Sequence, residues 1–241
     1  MASDGTYFDT DTKLMLHMDG ADGSTTFTDS SDSARVVSTF GTVQIDTAQS
    51  VFGGASGLFD GDSDYLTIPY STDFDFGSGD WTIDFRARFA SAATVYDIWS
   101  PYVEGSGGFI ARIYPASGGD GYLSLYNDSP SEYRLESLTF ALNTWYHFAF
   151  VVSSNRWYMF RDGTLINSGG TAVAGTFNAD SNTIQLGRRS DGQYYMNGWL
   201  DEFRVVKGTA VWTSNFTPPS AAYIPPATAS SISTRRVFMI T

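Results

Sequence analysis

The stretch Trp81–Phe89, WTIDFRARF, alternates over its whole length without a break. Trp81, Ile83, Phe85, Ala87 and Phe89 fall on one face of an extended chain, and Thr82, Asp84, Arg86 and Arg88 on the other. Such a segment reads as a strand with one face in a core and one in water, the habit of antiparallel sheets. Nothing supplies a helical counterpart: no window of a dozen residues carries an i, i+3, i+4, i+7 apolar stripe without Gly or a β-branched interruption. The other periodic signals are short runs bounded by Gly, Asp, Asn and Ser, and they predict about twelve to fourteen strands. The 241 residues suit one large all-β domain or two small ones.

Residues 13–18 (KLMLHM) open the series, and a loop rich in Gly, Asp, Ser and Thr follows. Residues 145–152 are apolar on both faces, as in a central strand. Residues 156–160 return, and Asp162-Gly163 has the composition of a type I′ hairpin turn into 164–167.

The formal charge is −12, from 26 acids and 14 bases. That balance argues against nucleic acid as a partner, which needs clustered Lys and Arg. The dense basic pairs are only Arg188-Arg189 and Arg235-Arg236. Twenty-two of the acids are Asp, a residue suited to turns and to oxygen-ligand cation sites. Cysteine is absent, which removes disulfides, thiolate nucleophiles and Cys-based zinc. The first residues lack a basic n-region and an apolar h-region, and no run approaches eighteen apolar residues. The expectation is synthesis in a cytoplasm without export or membrane insertion, and, for any action outside cells, release by another route such as lysis.

The closing stretch 197–219, NGWLDEFRVVKGTAVWTSNFTPP, sets a puzzle. Period-2 geometry puts Trp199, Asp201, Phe203 and Val205 on one face, and Leu200, Glu202, Arg204 and Val206 on the other. An ionised Asp201 among large apolar side chains costs roughly several kcal/mol unless partnered. It is expected to meet backbone N–H groups, the opening loop, or a cation between them. Around residue 213 the composition shifts, and residues 213–233 hold four of the eight prolines. This predicts an extended tail leaving the domain. Its end, with Arg235, Arg236, Val237, Phe238, Met239 and Ile240, either packs back as a last strand or anchors on a neighbouring subunit's edge.

Four pieces of sequence resemble the laminin-G-like, concanavalin A-like (pentraxin-type) jelly rolls. They are the opening LMLHMDGADGSTTFTDSSDS, then GLFDGDSDYLTIP, then WTIDFRARF, and then the closing half from WYHFAFVVSSNRWYMFRDGTLI through IQLGRRSDGQYYMNGWLDEFRVVKGTAVWTSNFTPP. The resemblance implies an all-β, two-sheet antiparallel jelly-roll sandwich over 13–219, after a lead of 1–12 and before a C-terminal tail of 220–241. The closing stretch is most similar to copies carried by bacteriophage virion proteins such as tail fibres and decoration proteins. That implies a virion component displayed outside cells, with other virion proteins or copies of itself as partners.

The resemblance also implies a calcium site from the opening loop and the closing strand, which names Asp19, Asp29, Asp32 and Asp201. Sugar sites on such sandwiches pair an aromatic platform with polar side chains. The corresponding candidates are Tyr96, Trp99 and Tyr102, and Tyr194 and Tyr195 with Arg189, Asp191 and Asn197; Trp199 lies beside the second set. A hydrolase needs two carboxylates across the scissile bond. The four glutamates, Glu104, Glu132, Glu136 and Glu202, form no E-x-D-x-x-E strand. His17 and His147 lack a G-x-S-x-G partner. The expected function is therefore non-catalytic: glycan binding on a particle, or alternatively a purely structural particle role, with hydrolysis third.

Overall fold

The computed structural model describes residues 9–224 apart from 93–94, 105–106, 116–119, 129–130, 167–169 and 173–174, so the anchor proposed at Arg235 to Ile240 lies outside the described residues. Short alternating runs become short strands. In chain order these are β1 (Thr12–Leu16), β2 (Ser38–Phe40), β3 (Gln44–Asp46), β4 (Ser56–Asp60), β5 (Tyr65–Ile68), β6 (Trp81–Phe89), β7 (Tyr96–Ser100) and β8 (Phe109–Tyr114). They continue as β9 (Asp120–Asp128), β10 (Ser131–Thr139), β11 (Trp145–Ser153), β12 (Arg156–Arg161), β13 (Thr164–Leu165), β14 (Thr171–Ala172), β15 (Ile184–Leu186) and β16 (Asn197–Lys207).

The larger sheet runs β13-β12-β11-β6-β16-β4-β3, with β1 added on β16 and β14 on β12. The smaller runs β10-β9-β8-β7-β15-β5-β2, and together they form the antiparallel jelly-roll sandwich. Two-residue turns close β11–β12–β13. Ser154 and Asn155 have φ of 50° and 57°, and Asp162 and Gly163 have 49° and 74°, the left-handed pairs of type I′ turns. The inner faces meet through aromatic rings. Phe203 of the larger sheet stacks on Phe85 at 5.5 Å and across the interface on Trp99 at 6.1 Å.

The puzzle of Asp201 is resolved by a β-bulge. Asp201 pairs with Arg86 and Arg204 with Asp84, so Glu202 and Phe203 together oppose Phe85, and Glu202 takes φ 50°. The extra residue resets the alternation. Leu200, Phe203 and Val205 all join the inner core, while Trp199, Asp201 and Arg204 face away from it. Strict period-2 counting had wrongly set Asp201 beside Phe203 and Val205.

A second correction concerns the face expected to be wet. The chain after β16 folds back over the outside of the larger sheet, where Trp212 and Phe216 stack at 4.0 Å and 4° above Ala149, Val151 and Phe160. Tyr223 closes the crossing against Met15 and is 4% exposed. Among the described residues the packed chain therefore reaches Tyr223, and Pro218 and Pro219 lie in a strap across the sheet. Proline removes ladder hydrogen bonds, but a strap held by ring packing needs none. Beneath it Asp84, His147 and Arg204, on nominally outward positions of three strands, are each at most 1% exposed.

Candidate functional site

Three groups of polar side chains deserve comparison as sites. The first lies under the strap. Asp84 Oδ1 accepts from Arg204 Nε at 2.8 Å, and Asp84 Oδ2 meets His147 Nε2 at 3.3 Å and accepts from the Tyr223 hydroxyl. Burial would raise the Asp84 carboxyl, but the Arg204 charge and the His147 hydrogen bond hold it below the usual range. Burial lowers His147. Asp84, His147 and Arg204 are each at most 1% exposed, so the group is closed off from solvent and structural.

The second group sits where the opening loop meets the bulge. Asp201 Oδ2 accepts from Val51 N–H at 2.7 Å and Phe52 N–H at 3.2 Å, while its buried Oδ1 has no partner among the described residues. Burial, reinforced by the charges of Glu202 and Asp19, pushes the Asp201 carboxyl up to about 7. Burial and then Glu202 likewise raise Asp19. Gly53, at φ 62°, backs directly onto the Asp19 carboxylate; a Cβ there would stand 1.9 Å from its Oδ1. His17 Nδ1 hydrogen-bonds Glu202 Oε1 at 2.8 Å, and Glu202 Oε2 accepts from Tyr223 N–H at 2.7 Å. Burial alone would lower His17, but the hydrogen bond and charge of Glu202 raise it.

The third group lies on the outer face of the smaller sheet, beside a depression of about 310 Å³ lined by Gly61, Val95, Tyr194 and Tyr195. Register places Asp97 of β7 opposite Arg112 of β8, and the two form a bidentate pair with Nη2 to Oδ2 at 2.8 Å. Burial pushes the Asp97 carboxyl up, and the Arg112 bond opposes that. The turn after β15 adds a second bidentate pair, Arg189 with Asp191, in which each holds the other in its charged form. The guanidiniums of Arg112 and Arg189 lie 4.8 and 4.6 Å from the Tyr194 ring centroid.

Further along, Phe40 of β2 stacks on Tyr65 of β5 at 4.5 Å and 6°, and Phe40 is 43% exposed. The Arg188 guanidinium lies 3.4 Å from the Tyr65 centroid. Because Phe40 fills one side of Tyr65 at 4.5 Å, Arg188 must fill the other. Arg188 also donates to Gln185 Oε1 at 2.6 Å and to the Tyr195 hydroxyl at 2.8 Å. The result is an aromatic ledge beside a recess, edged with guanidiniums and amides: the apolar floor and few polar groups of a sugar site.

A model of the concanavalin A-like lectin/glucanases superfamily matches residues 60–212. The chain belongs to that superfamily. None of the curated proteins compared matches the sequence. Among solved structures, domain 4 of AbnA, an extracellular GH43 arabinanase from Geobacillus stearothermophilus determined with arabinotriose, superposes with a TM-score of 0.59 at 16% identity. The match covers 83% of this chain and 93% of that domain. The botulinum neurotoxin serotype D binding domain gives 0.61 at 13% identity over 84% of this chain, and the binding domain of Paraclostridial Mosquitocidal Protein 1 gives 0.59 at 14% over 87%. The chain spans 49% and 50%, about half, of those two binding domains. At these identities the likeness is one of fold.

Within this concanavalin A-like frame the expected site residues separate. Arg189, Asp191, Tyr194 and Tyr195 come together, and Asn197 packs at the rim, where a Cβ on Gly61 would touch it. Tyr102 stands edge-on to Tyr126 at 5.4 Å, and its carbonyl accepts from Ser190 Oγ, which ties it to the same turn. Tyr96 and Trp99 are corrected. Both are buried in the core, at 1% and 0% exposure, because a bulge between Asp97 and Trp99 turns both inward. Trp199 is on the opposite sheet, with its indole N–H on Asp46.

The four aspartates of the implied calcium set do not converge. Asp19 approaches Asp201, but the Asp29 carboxylate is spent on Met15 N–H, Ser31 N–H, Ser31 Oγ and Arg35 N–H, and Asp32 is exposed in the loop. Among the described residues no three His, Asp or Glu side chains form a cation-holding group. What sequence reading missed is the Asp97–Arg112 pair and the Phe40–Tyr65–Arg188 stack. The outward position of Arg112 between Ala111 and Ile113 was the available signal.

Proposed function

We propose that this concanavalin A-like domain binds carbohydrate on the outer face of its smaller sheet, without cleaving it, as a component of a virus particle. The observation that carries the binding reading is the half-exposed Phe40 ring, extended by Tyr65 and Tyr195 beside the recess. An exposed aromatic face suits the apolar C–H face of a pyranose, and the bordering Arg and Asp groups suit its hydroxyls. The solved complex of the AbnA domain with arabinotriose adds support from the same fold. The non-catalytic reading draws on two carboxylates of this face. Asp97 and Asp191 are each locked to an arginine, which leaves neither free as nucleophile or general acid.

The test is a glycan array of bacterial surface polysaccharides probed with the full chain and with Phe40→Ala and Tyr195→Ala. Each variant is expected to lose about tenfold in affinity or more, the scale of one aromatic contact in a binding site. Silence of the wild type across the array sinks the carbohydrate reading and leaves the structural one.

The particle reading rests on the resemblance of the closing stretch to phage virion proteins. Mass spectrometry of purified particles from cells expressing the chain is expected to recover it at stoichiometric copy number; recovery only in the soluble fraction overturns it. Calcium is proposed at Asp19 and Asp201 alone. The buried, unpartnered Asp201 Oδ1 and the close approach of Gly53 to Asp19 fit a hard cation that takes its remaining oxygens from carbonyls and water.

A further inference from the structure

The sugar-binding face carries an unbalanced charge. Its ion-pair groups are Arg112 with Asp97 and Arg189 with Asp191, and each arginine is neutralised by its own carboxylate. Arg188 is the exception. Its partners are an amide oxygen, a phenol hydroxyl and a π-face, and no carboxylate pairs with it among the described residues. Across the recess, the Asp60 carboxylate is engaged locally: it accepts from the N–H groups of Asp62, Ser63 and Asp64 and from Ser63 Oγ.

Of the five N–H donors on a guanidinium, Nε is committed to Gln185 and one on Nη1 to Tyr195. The remaining three sit on a side chain that is only half-buried. Stacking on Tyr65 fixes the plane of the group, so those donors are held in one direction rather than sweeping through solvent. Gly192, at φ 79°, leaves the approach bare; a Cβ there would sit 3.7 Å from the Tyr195 hydroxyl and 3.8 Å from Arg188 Nη1.

We propose that the ligand of this face is an acidic sugar of the uronic acid class, whose carboxylate is received by the free donors of Arg188. This rests on the carbohydrate reading and narrows it. A planar, pre-oriented fork matches the two oxygens of a carboxylate, and charge-assisted bonds of that kind are about twice as strong as neutral ones. The chain as a whole is strongly acidic, at −12. Long-range repulsion therefore disfavours polyanions in general, and recognition depends on this local donor set.

The experiment presents uronic-acid-containing oligosaccharides of several stereochemistries to the full chain, each beside its carboxyl-reduced form, in which the carboxylate has become a primary alcohol. At least one acidic form is expected to bind about tenfold or more tightly than its reduced partner. Arg188→Met keeps the stacking bulk and is expected to abolish that preference in a chain that circular dichroism shows to be folded. Arg188→Lys, which keeps charge without the fork, is expected to retain part of it. Equal binding of acidic and reduced forms overturns the acidic-sugar assignment and leaves carbohydrate binding intact. Binding to neither form, nor to the neutral glycans, overturns both. A preference that survives in Arg188→Met overturns the role of Arg188.

Discussion

Asp201→Asn is expected to stabilise the protein at pH 8 and to leave it nearly unchanged at pH 4. The wild-type carboxyl is buried with Glu202 and Asp19 as like charges, and its folded pKa is raised to about 7. A carboxyl raised on folding contributes stability that is fully present below its unfolded pKa and is lost as pH climbs through the folded value. The window here runs from about pH 4 to just above 7. At about 1.4 kcal/mol per pKa unit the loss reaches at most about 4 kcal/mol. Asparagine keeps an oxygen for the N–H groups of Val51 and Phe52 and cannot ionise. Urea denaturation of both proteins in chelator from pH 4 to 8 should therefore show the variant overtaking the wild type as pH rises. A difference that does not change with pH would refute the titration of this residue. Calcium supplies a second arm. At pH 8 it is expected to raise the melting temperature of the wild type, by mass action on the folded state, and not that of the variant. No shift in the wild type removes the cation from Asp19 and Asp201 and leaves the pH result standing.

The same residue shows what the sequence could and could not convey. Alternation in WTIDFRARF was enough to predict β6 and its inner face, because nothing interrupts that strand. In β16 the alternation was equally clear, yet the bulge at Glu202 shifted everything after it, and period-2 counting has no means of sensing an inserted residue. A bulge also explains Tyr96 and Trp99. Three residues apart, they should face opposite ways, but the irregularity at Asp97 sends both into the core. Burial of the outer face was invisible for another reason. Whether Asp84 meets water depends on a strap well over a hundred positions later. At the candidate site, Arg189, Asp191, Tyr194 and Tyr195 were legible because one turn holds them together. Phe40, Tyr65, Asp97 and Arg112 come from four strands, and only strand register makes them neighbours.

Under the strap, Asp84→Ala is expected to cost about 3–5 kcal/mol, the scale of removing one partner of a buried ion pair. The change removes the carboxylate that pairs with Arg204 Nε in a site with at most 1% exposure and also removes the acceptor of the Tyr223 hydroxyl. Arg204→Met in the same background is expected to recover much of that loss, because the buried charge that Asp84 balanced is removed and the methionine can pack beneath Trp212 and Tyr223, the rings that Arg204 now underlies. Denaturation of the wild type, both single variants and the double variant gives the coupling directly. Additive losses would mean that Asp84 and Arg204 do not act as a pair, contrary to their geometry. Limited proteolysis separates two ways of failing. If the network pins the strap, Asp84→Ala should expose cleavage sites between 208 and 224 before the sandwich itself unfolds, since the Tyr223 hydroxyl then loses its acceptor. Cleavage that begins simultaneously across both sheets would mean that the strap and the sandwich melt as one cooperative unit, and that the buried charges stabilise the whole fold rather than the crossing alone.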